Sequence, residues 1–209
     1  MKGLLLKDWY SIIANFRYFV FLLLIFIAAS CFGGNNTFFL FYPCILSGMI
    51  AMSLIAFEEK EKWDVYEETL PYSRSQIVSA KYIISLIMSL ATIIIILTVQ
   101  TGMMIYKGTF HIAEIIDLSI PLFIFSFLPT MLLLPFIYKF GCQKGRIVYY
   151  FILGFFFALI GLYSALSGNN LVIHMEHPLY RVLTFMILAL AFISSWLLSV
   201  HFYKKKEIY

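Results

Sequence analysis

Residues 82–106 read YIISLIMSLATIIIILTVQTGMMIY and contain no Asp, Glu, Lys, Arg or His. A helix needs about 20 consecutive, mostly apolar residues to cross the hydrocarbon core of a bilayer, and this run is longer than that. Because a helix satisfies its backbone hydrogen bonds internally, it is stable in lipid. The stretch therefore predicts a transmembrane helix.

Similar apolar runs lie on both sides of this stretch, and the composition of the whole chain agrees with them. Hydrophobic residues make up 62% of the 209 residues and charged residues only 12%, against about 45–50% and about 25% in soluble domains. We predict an all-α, polytopic membrane protein with one domain, residues 1–209. Its six spans are expected at about 18–32, 38–57, 82–106, 118–138, 147–167 and 182–203.

The fourth predicted span contains three prolines, Pro121, Pro129 and Pro135. Proline removes a backbone donor and clashes with the preceding turn of a helix. This span is therefore expected to be kinked or broken.

The basic residues are distributed unequally between the two sides of the predicted bundle. Only Lys107 and Arg181 of the 15 Lys and Arg residues fall on one side, and the other 13 on the opposite side. Cytoplasmic loops carry the excess of Lys and Arg, so both termini are predicted to be cytoplasmic. The net charge of +4 does not indicate a nucleic-acid partner.

The chain lacks the motifs of an enzyme. It contains no GxxxxGK[ST] or GxGxxG for phosphates and no GxSxG nucleophile elbow or HExxH zinc motif. His174 and His177, on the predicted outer side, either hold a metal or are solvated loop residues, and the second reading is favoured. We expect no catalytic residue, cofactor or metal in this chain.

The middles of the spans also lack ionisable side chains. Ion-coupled carriers usually need such groups inside the membrane, so a secondary carrier is disfavoured. Energy for any transport would have to come from another chain.

The N-terminal segment, about 3–16, has the pattern of an amphipathic helix. Lys7, Ser11 and Asn15 share one face, and the apolar side is formed by Leu5, Trp9, Ile12, Ile13 and Phe16. Such a helix is expected to lie along the cytoplasmic membrane surface, with Lys7, Asp8 and Trp9 as its interfacial residues. The alternative is that it simply begins the first span.

The loop at 58–80 contains two helix-capping signals. Asp64 with Glu67 predicts a short helix beginning at Val65 and ending before Pro71, and Ser73 with Gln76 predicts the start of the next helix. Trp63, Tyr66 and Leu70 would form an apolar stripe on the short helix. Such a helix can dock in a partner's groove or rest on the membrane.

The fifth predicted span has small residues on one face. Residues of this kind let two helices approach closely in lipid. The seam packs either within this chain or against a second copy, and it consists of Gly154, Ala158, Gly161, Ala165 and Gly168.

The loop resembles the signature of small permeases of bacterial type-2 ATP-binding-cassette (ABC) exporters. The opening Gly3-Leu-Leu-Leu-Lys-Asp-Trp also resembles the N-terminus of that family. The matching loop residues are Glu58, Glu59, Lys60, Trp63, Asp64, Thr69, Leu70, Pro71, Ser73, Arg74, Ile77, Val78, Lys81 and Tyr82.

The resemblance implies a non-catalytic permease in the bacterial cell membrane that pairs with a second, identical or homologous permease chain. Two separate ATPase subunits would bind ATP and Mg²⁺, and the cargo would be amphipathic peptides or similar hydrophobic compounds. The implied ATPase-coupling residues are Glu59, Trp63, Asp64, Val65, Tyr66, Glu67, Leu70, Pro71, Ser73 and Arg74. The alternatives are a non-transporting membrane protein, such as an immunity factor or assembly partner, and a secondary carrier.

Overall fold

The computed structural model describes residues 2–15, 21–22, 24–26, 28–29, 38–67, 69–108, 111–152, 154 and 178–205. Within these residues the regular structure is α-helical throughout, and no strand occurs. The helices are α1 (Lys2–Asn15), α2 (Phe38–Gly48), α3 (Ile50–Lys60), α4 (Trp63–Glu67), α5 (Arg74–Tyr106), α6 (Ile112–Phe140), α7 (142–152) and α8 (Pro178–Lys205).

Four stretches of the described chain are long and apolar enough to span a membrane. They are Leu40–Lys60, which joins α2 and α3, Arg74–Tyr106, Ile112–Phe140 and Arg181–Lys205. They confirm the predicted helical membrane protein and correspond to the predicted spans at 38–57, 82–106, 118–138 and 182–203. Most of the other two predicted spans, 18–32 and 147–167, lies outside the described residues.

The prolines do not break the fourth predicted span, because α6 is one continuous helix that contains all three. Of the two expected outcomes, a kink or a break, the break is therefore wrong and the kink stays a prediction. Pro135 cannot donate to the carbonyl of Met131 four residues earlier. The hydroxyl of Ser195 in α8 donates to that carbonyl instead, at 2.7 Å. A neighbouring helix thus satisfies the group that the proline leaves free.

Helix α6 is the centre of the described bundle, and α2, α5 and α8 pack around it. Small polar residues connect these helices in the interior. The hydroxyls of Ser85 in α5 and Thr130 in α6 lie 2.5 Å apart. Thr130 also donates to the carbonyl of Gly48 in α2 at 3.0 Å. Small residues at these crossings let the helix backbones approach closely.

Helix α1 lies at the end of the bundle where α5 begins, and it packs against α3 and α5. The face it buries is Leu4, Asp8 and Ile12, spaced four residues apart. Trp9 and Ile13 are exposed. Residues 2–15 are helical, as predicted, but the assigned apolar side was wrong in part, because Asp8 takes a place on the buried face. The position of this helix along the membrane surface stays a prediction. Phe16 lies outside the described residues.

The contact between α2 and α6 generates a first prediction. A Cβ at Gly48 would lie 2.2 Å from the carbonyl oxygen of Ser126. A Gly48→Ala substitution must therefore push the two backbones apart, and we expect it to destabilise the fold by about 1–3 kcal/mol, as overpacking does. The measurement is the free energy of unfolding in detergent or bicelles.

Gly102→Ala is the matched control, because a Cβ there meets nothing within 4 Å. It lies in α5 and adds the same methyl group to a transmembrane helix. Equal stability of the two variants would contradict the close approach of α2 and α6.

Candidate functional site

The loop between the second and third predicted spans contains the short helix α4, Trp63–Glu67. A short helix is present as predicted, but it begins two residues earlier and ends before Leu70, so the predicted bounds from Val65 to Leu70 are wrong. Asp64 is the second residue of the helix, and its side chain lies outside the described part of the chain. Thr69 and Leu70 instead form a turn, with backbone hydrogen bonds to the carbonyls of Tyr66 and Glu67.

The second capping signal is confirmed. Ser73 is the N-cap of α5, and its hydroxyl accepts the backbone N–H of Gln76 at 3.3 Å. The side-chain carbonyl of Gln76 accepts the backbone N–H of Ser73 at 3.1 Å. This capping box fixes the first residue of the long span α5 directly after the loop.

A buried cluster of charged residues joins the loop to the rest of the molecule. Its centre is Lys81 of α5, whose side chain is 2% exposed. The Lys81 ammonium donates to Asp8 of α1 at 2.8 Å and to Glu58 of α3 at 2.6 Å. Lys7 of α1 also donates to Glu58 and lies 3.2 Å from Asp8. Glu67 of α4 completes the ion cluster, with its carboxylate 3.8 Å from the Lys7 ammonium.

The ion cluster contains three carboxyl groups and two ammonium groups. Its members come from four helices, and every ion pair in it joins separate elements of the chain except Lys7–Asp8, which lies within α1. Burial raises the pKa of the Glu67 carboxyl, although the positive charges of Lys7 and Lys81 act in the opposite direction. Charged groups this deeply buried are stable only when paired, so the ion cluster holds α1 and α4 against α3 and α5.

The aromatic residues of α4 have different surroundings. Trp63 and Tyr66 lie 4.9 Å apart between ring centroids. The Lys7 ammonium lies 5.1 Å from the Trp63 ring, a cation–π distance. Tyr66 is 53% exposed. Trp63 is therefore engaged by α1, whereas Tyr66 is the aromatic side chain of α4 that a partner can contact.

Glu59, the neighbour of Glu58, contacts a different element. The backbone N–H of Cys142 donates to both of its carboxylate oxygens, at 3.1 and 3.2 Å. Cys142 is the first residue of α7, where the unpaired N–H groups and the helix dipole favour an anion. The two adjacent glutamates thus connect the end of α3 to different helices.

Arg74, the first residue of α5, reaches the end of the last helix. Its guanidinium donates to the carbonyl of Lys204 at 3.0 Å and to that of Tyr203 at 3.4 Å. These carbonyls are at the C-terminus of α8, where a cation is favourable. Arg74 thereby ties the loop to α8, whereas Pro71 and Ser73 are exposed beside it.

The structure brings four of the predicted residues together: Lys7, Asp8, Trp63 and Glu67. Lys81 connects this group to the start of α5. Of the other predicted coupling residues, Glu59 contacts α7 and Arg74 contacts α8, while the side chains of Asp64 and Val65 lie outside the described part of the chain. The sequence pattern predicts Lys7 and Asp8 at a membrane surface, and it indicates no role for Lys81 and Glu58 beyond the resemblance. The sequence does contain a signal, namely an acidic and a basic residue in otherwise apolar segments. Such charged residues have to be paired when they are buried.

Most of the remaining predicted site residues lie outside the described part of the chain. Gly154 lies in open space, with nothing within 4 Å of a Cβ, and Ala158, Gly161, Ala165 and Gly168 lie outside the described residues. His174 and His177 lie outside them as well. No group of three or more metal-ligating side chains occurs among the residues that are described.

These features define a helical membrane protein in which ion pairs and hydrogen bonds connect the loop at one end of the spans to neighbouring helices. The family model for the ABC-2 family transporter protein matches residues 3–204. The chain therefore belongs to the ABC-2 transporter family and is a permease component of an ABC transporter. No curated protein and no solved structure matches the chain.

The ion cluster generates a second prediction. Lys81→Met leaves Asp8 and Glu58 buried without their shared ammonium. Removing one partner of a buried ion pair typically costs about 3–5 kcal/mol, and we expect a loss of this size in the free energy of unfolding.

Lys60→Met is the matched control, because Lys60 is exposed at the end of α3. A surface substitution of this kind should change the free energy of unfolding by less than about 0.5 kcal/mol. If Lys81→Met were as stable as the control, the ion cluster would not hold the helices together.

Proposed function

We propose that this permease forms the membrane pathway of an exporter driven by two separate ATPase subunits, and that α4 with its flanking loop is their docking site. The observation that carries the proposal is the contact of α4 with Lys7 of α1, whose ammonium lies against both the Glu67 carboxyl group and the Trp63 ring. The ion cluster in turn joins α1 to α3 and α5. The family assignment supports an ABC transporter. It favours this function over a secondary carrier or a non-transporting partner.

The exposed surface of the loop suits a protein partner. Tyr66, Thr69 and Pro71 are exposed along it, as are Lys60 and Glu61 just before α4. Aromatic side chains surrounded by polar ones are typical of interface centres. Trp63 lies beside this surface, and its ring contacts the Lys7 ammonium of α1.

Movement of α4 would reach the spans through the ion cluster and its neighbours. Glu67 and Lys7 connect α4 to α1, and Lys81 connects α1 to α5. Glu59 connects the end of α3 to α7, and Arg74 connects the start of α5 to α8. Packed helices and ion-pair networks of this kind can carry a displacement from one site to another. ATP binding in the partner subunits would push α4 and shift the spans.

The transport pathway is proposed to form between two permease chains, with the cargo moving out of the cell. Both termini and the ion cluster would then face the cytoplasm of a bacterial cell, as the distribution of Lys and Arg indicates. Amphipathic peptides or similar hydrophobic compounds are the proposed cargo, on the basis of the family resemblance.

The docking surface can be tested by cross-linking. We expect a cysteine introduced at Thr69 to cross-link to a co-expressed ATPase subunit, because Thr69 is exposed beside α4. Lys107→Cys is the matched control, because Lys107 is also exposed but lies after the opposite end of α5. Cross-linking at Lys107 and not at Thr69, or at neither in any nucleotide state, would contradict the docking site.

The functional importance of Tyr66 gives a further prediction. In nanodiscs with the ATPase bound, Tyr66→Ala should reduce permease-dependent ATP hydrolysis by about tenfold or more, since central aromatic residues of interfaces typically contribute 2 kcal/mol or more. Tyr106→Ala, which removes an exposed tyrosine at the other end of α5, should leave hydrolysis unchanged. Equal hydrolysis by the two variants would exclude Tyr66 from the interface.

A further inference from the structure

Among the described residues, the ion cluster has an unbalanced charge when all its members are ionised. Three carboxylates, those of Asp8, Glu58 and Glu67, face two ammonium groups, those of Lys7 and Lys81. Asp8 and Lys81 are almost completely buried, and one carboxylate oxygen of Asp8, Oδ2, is buried without a hydrogen-bond partner. An uncompensated charge in such surroundings is strongly destabilising. Binding one proton would remove it.

The geometry shows which carboxyl group is least well paired. Glu58 accepts hydrogen bonds from both ammonium groups, and Asp8 lies within 3.2 Å of both. Glu67 has its ion-pair contact with Lys7 at 3.8 Å, which is longer than a hydrogen bond. It is nevertheless only 4% exposed. Glu67 thus combines deep burial with the weakest pairing of the three.

Among the described residues, several helices around Glu67 contribute groups that influence its ionisation. Lys7 and Asp8 face it from α1, Glu58 from α3 and Lys81 from α5. Tyr138 of α6 lies close enough for its hydroxyl to sense the charges of Glu58 and Glu67, and this hydroxyl has no hydrogen-bond partner. The two positive charges favour the carboxylate of Glu67. Burial and the two neighbouring carboxylates favour the protonated acid.

We propose that the ion cluster is a proton-binding site: Glu67 holds a proton while α4 is seated against α1, and loses it when α4 is drawn away. In the release step the O–H bond of the carboxylic acid breaks, the electron pair stays on the carboxylate oxygen, and the proton passes to water. Proton binding depends only on the ion cluster. The release step rests on the proposed docking of α4 to an ATPase.

The direction of the pH dependence follows from the burial of Glu67. Burial raises the pKa of this carboxyl group above its value in an unfolded or undocked α4. The seated state therefore binds the proton more tightly than the unseated state. Its stabilisation is complete below the unseated pKa, declines as the pH rises, and is lost above the seated pKa.

The proton can be detected on the permease alone, in nanodiscs without an ATPase. Infrared spectra distinguish the C=O stretch of a protonated carboxylic acid from the bands of a carboxylate. We expect an acid band that titrates above the ordinary range of glutamate, disappears in Glu67→Gln and persists in Glu61→Gln. Glu61 is the control because it is an exposed glutamate next to α4. The glutamine at 67 reproduces the size of the neutral side chain and should keep α4 seated.

Two further variants should move the titration in opposite directions. Glu58→Gln removes a negative neighbour and should lower the midpoint, whereas Lys7→Gln removes a positive neighbour and should raise it, each by about one pH unit. Absence of the band, or its loss in Asp8→Asn but not in Glu67→Gln, would overturn the proposal. Because no ATPase is present, such a result would leave the docking of α4 untouched. Conversely, failed cross-linking at Thr69 would not affect the proton site.

Discussion

The burial of the Lys81 ammonium is the constraint on which the loop end of this molecule depends. A charged group withdrawn from water needs opposite charges and hydrogen bonds close to it. Lys81 obtains them from Asp8 and Glu58, which are distant in sequence. The position of α1 against α5 follows from this requirement. Lys7, the neighbour of Asp8 in α1, also lies in the ion cluster, and its ammonium lies over the Trp63 ring.

The spans themselves are held by different interactions. In lipid there is little hydrophobic gain from pressing one apolar helix against another, so close packing and hydrogen bonds between helices become important. The contact of Gly48 with the backbone of α6 and the bond from Ser195 to Met131 belong to this type. The packing of the spans and that of the charged loop end therefore depend on different interactions. They meet at Lys81, in the second turn of α5.

Glu58 and Glu59, two adjacent residues near the end of α3, contact different helices. Successive side chains on a helix point about 100° apart, so neighbouring residues contact different elements. Glu58 faces the ion cluster and Glu59 faces the start of α7. A displacement of α3 would therefore act on α1, α5 and α7 together. This arrangement fits a permease that responds to a force applied at its loop.

The sequence alone determined the helical membrane class, four of the spans and the start of α5. These features depend on local properties, namely the length of apolar runs and the side-chain pattern of a capping box. It also supplied the family resemblance through residues 58–82. It did not determine the buried face of α1, the bounds of α4 or the continuity of α6. Only the tertiary structure decided these, because Asp8, Glu67 and Met131 find their partners on helices that are remote in sequence.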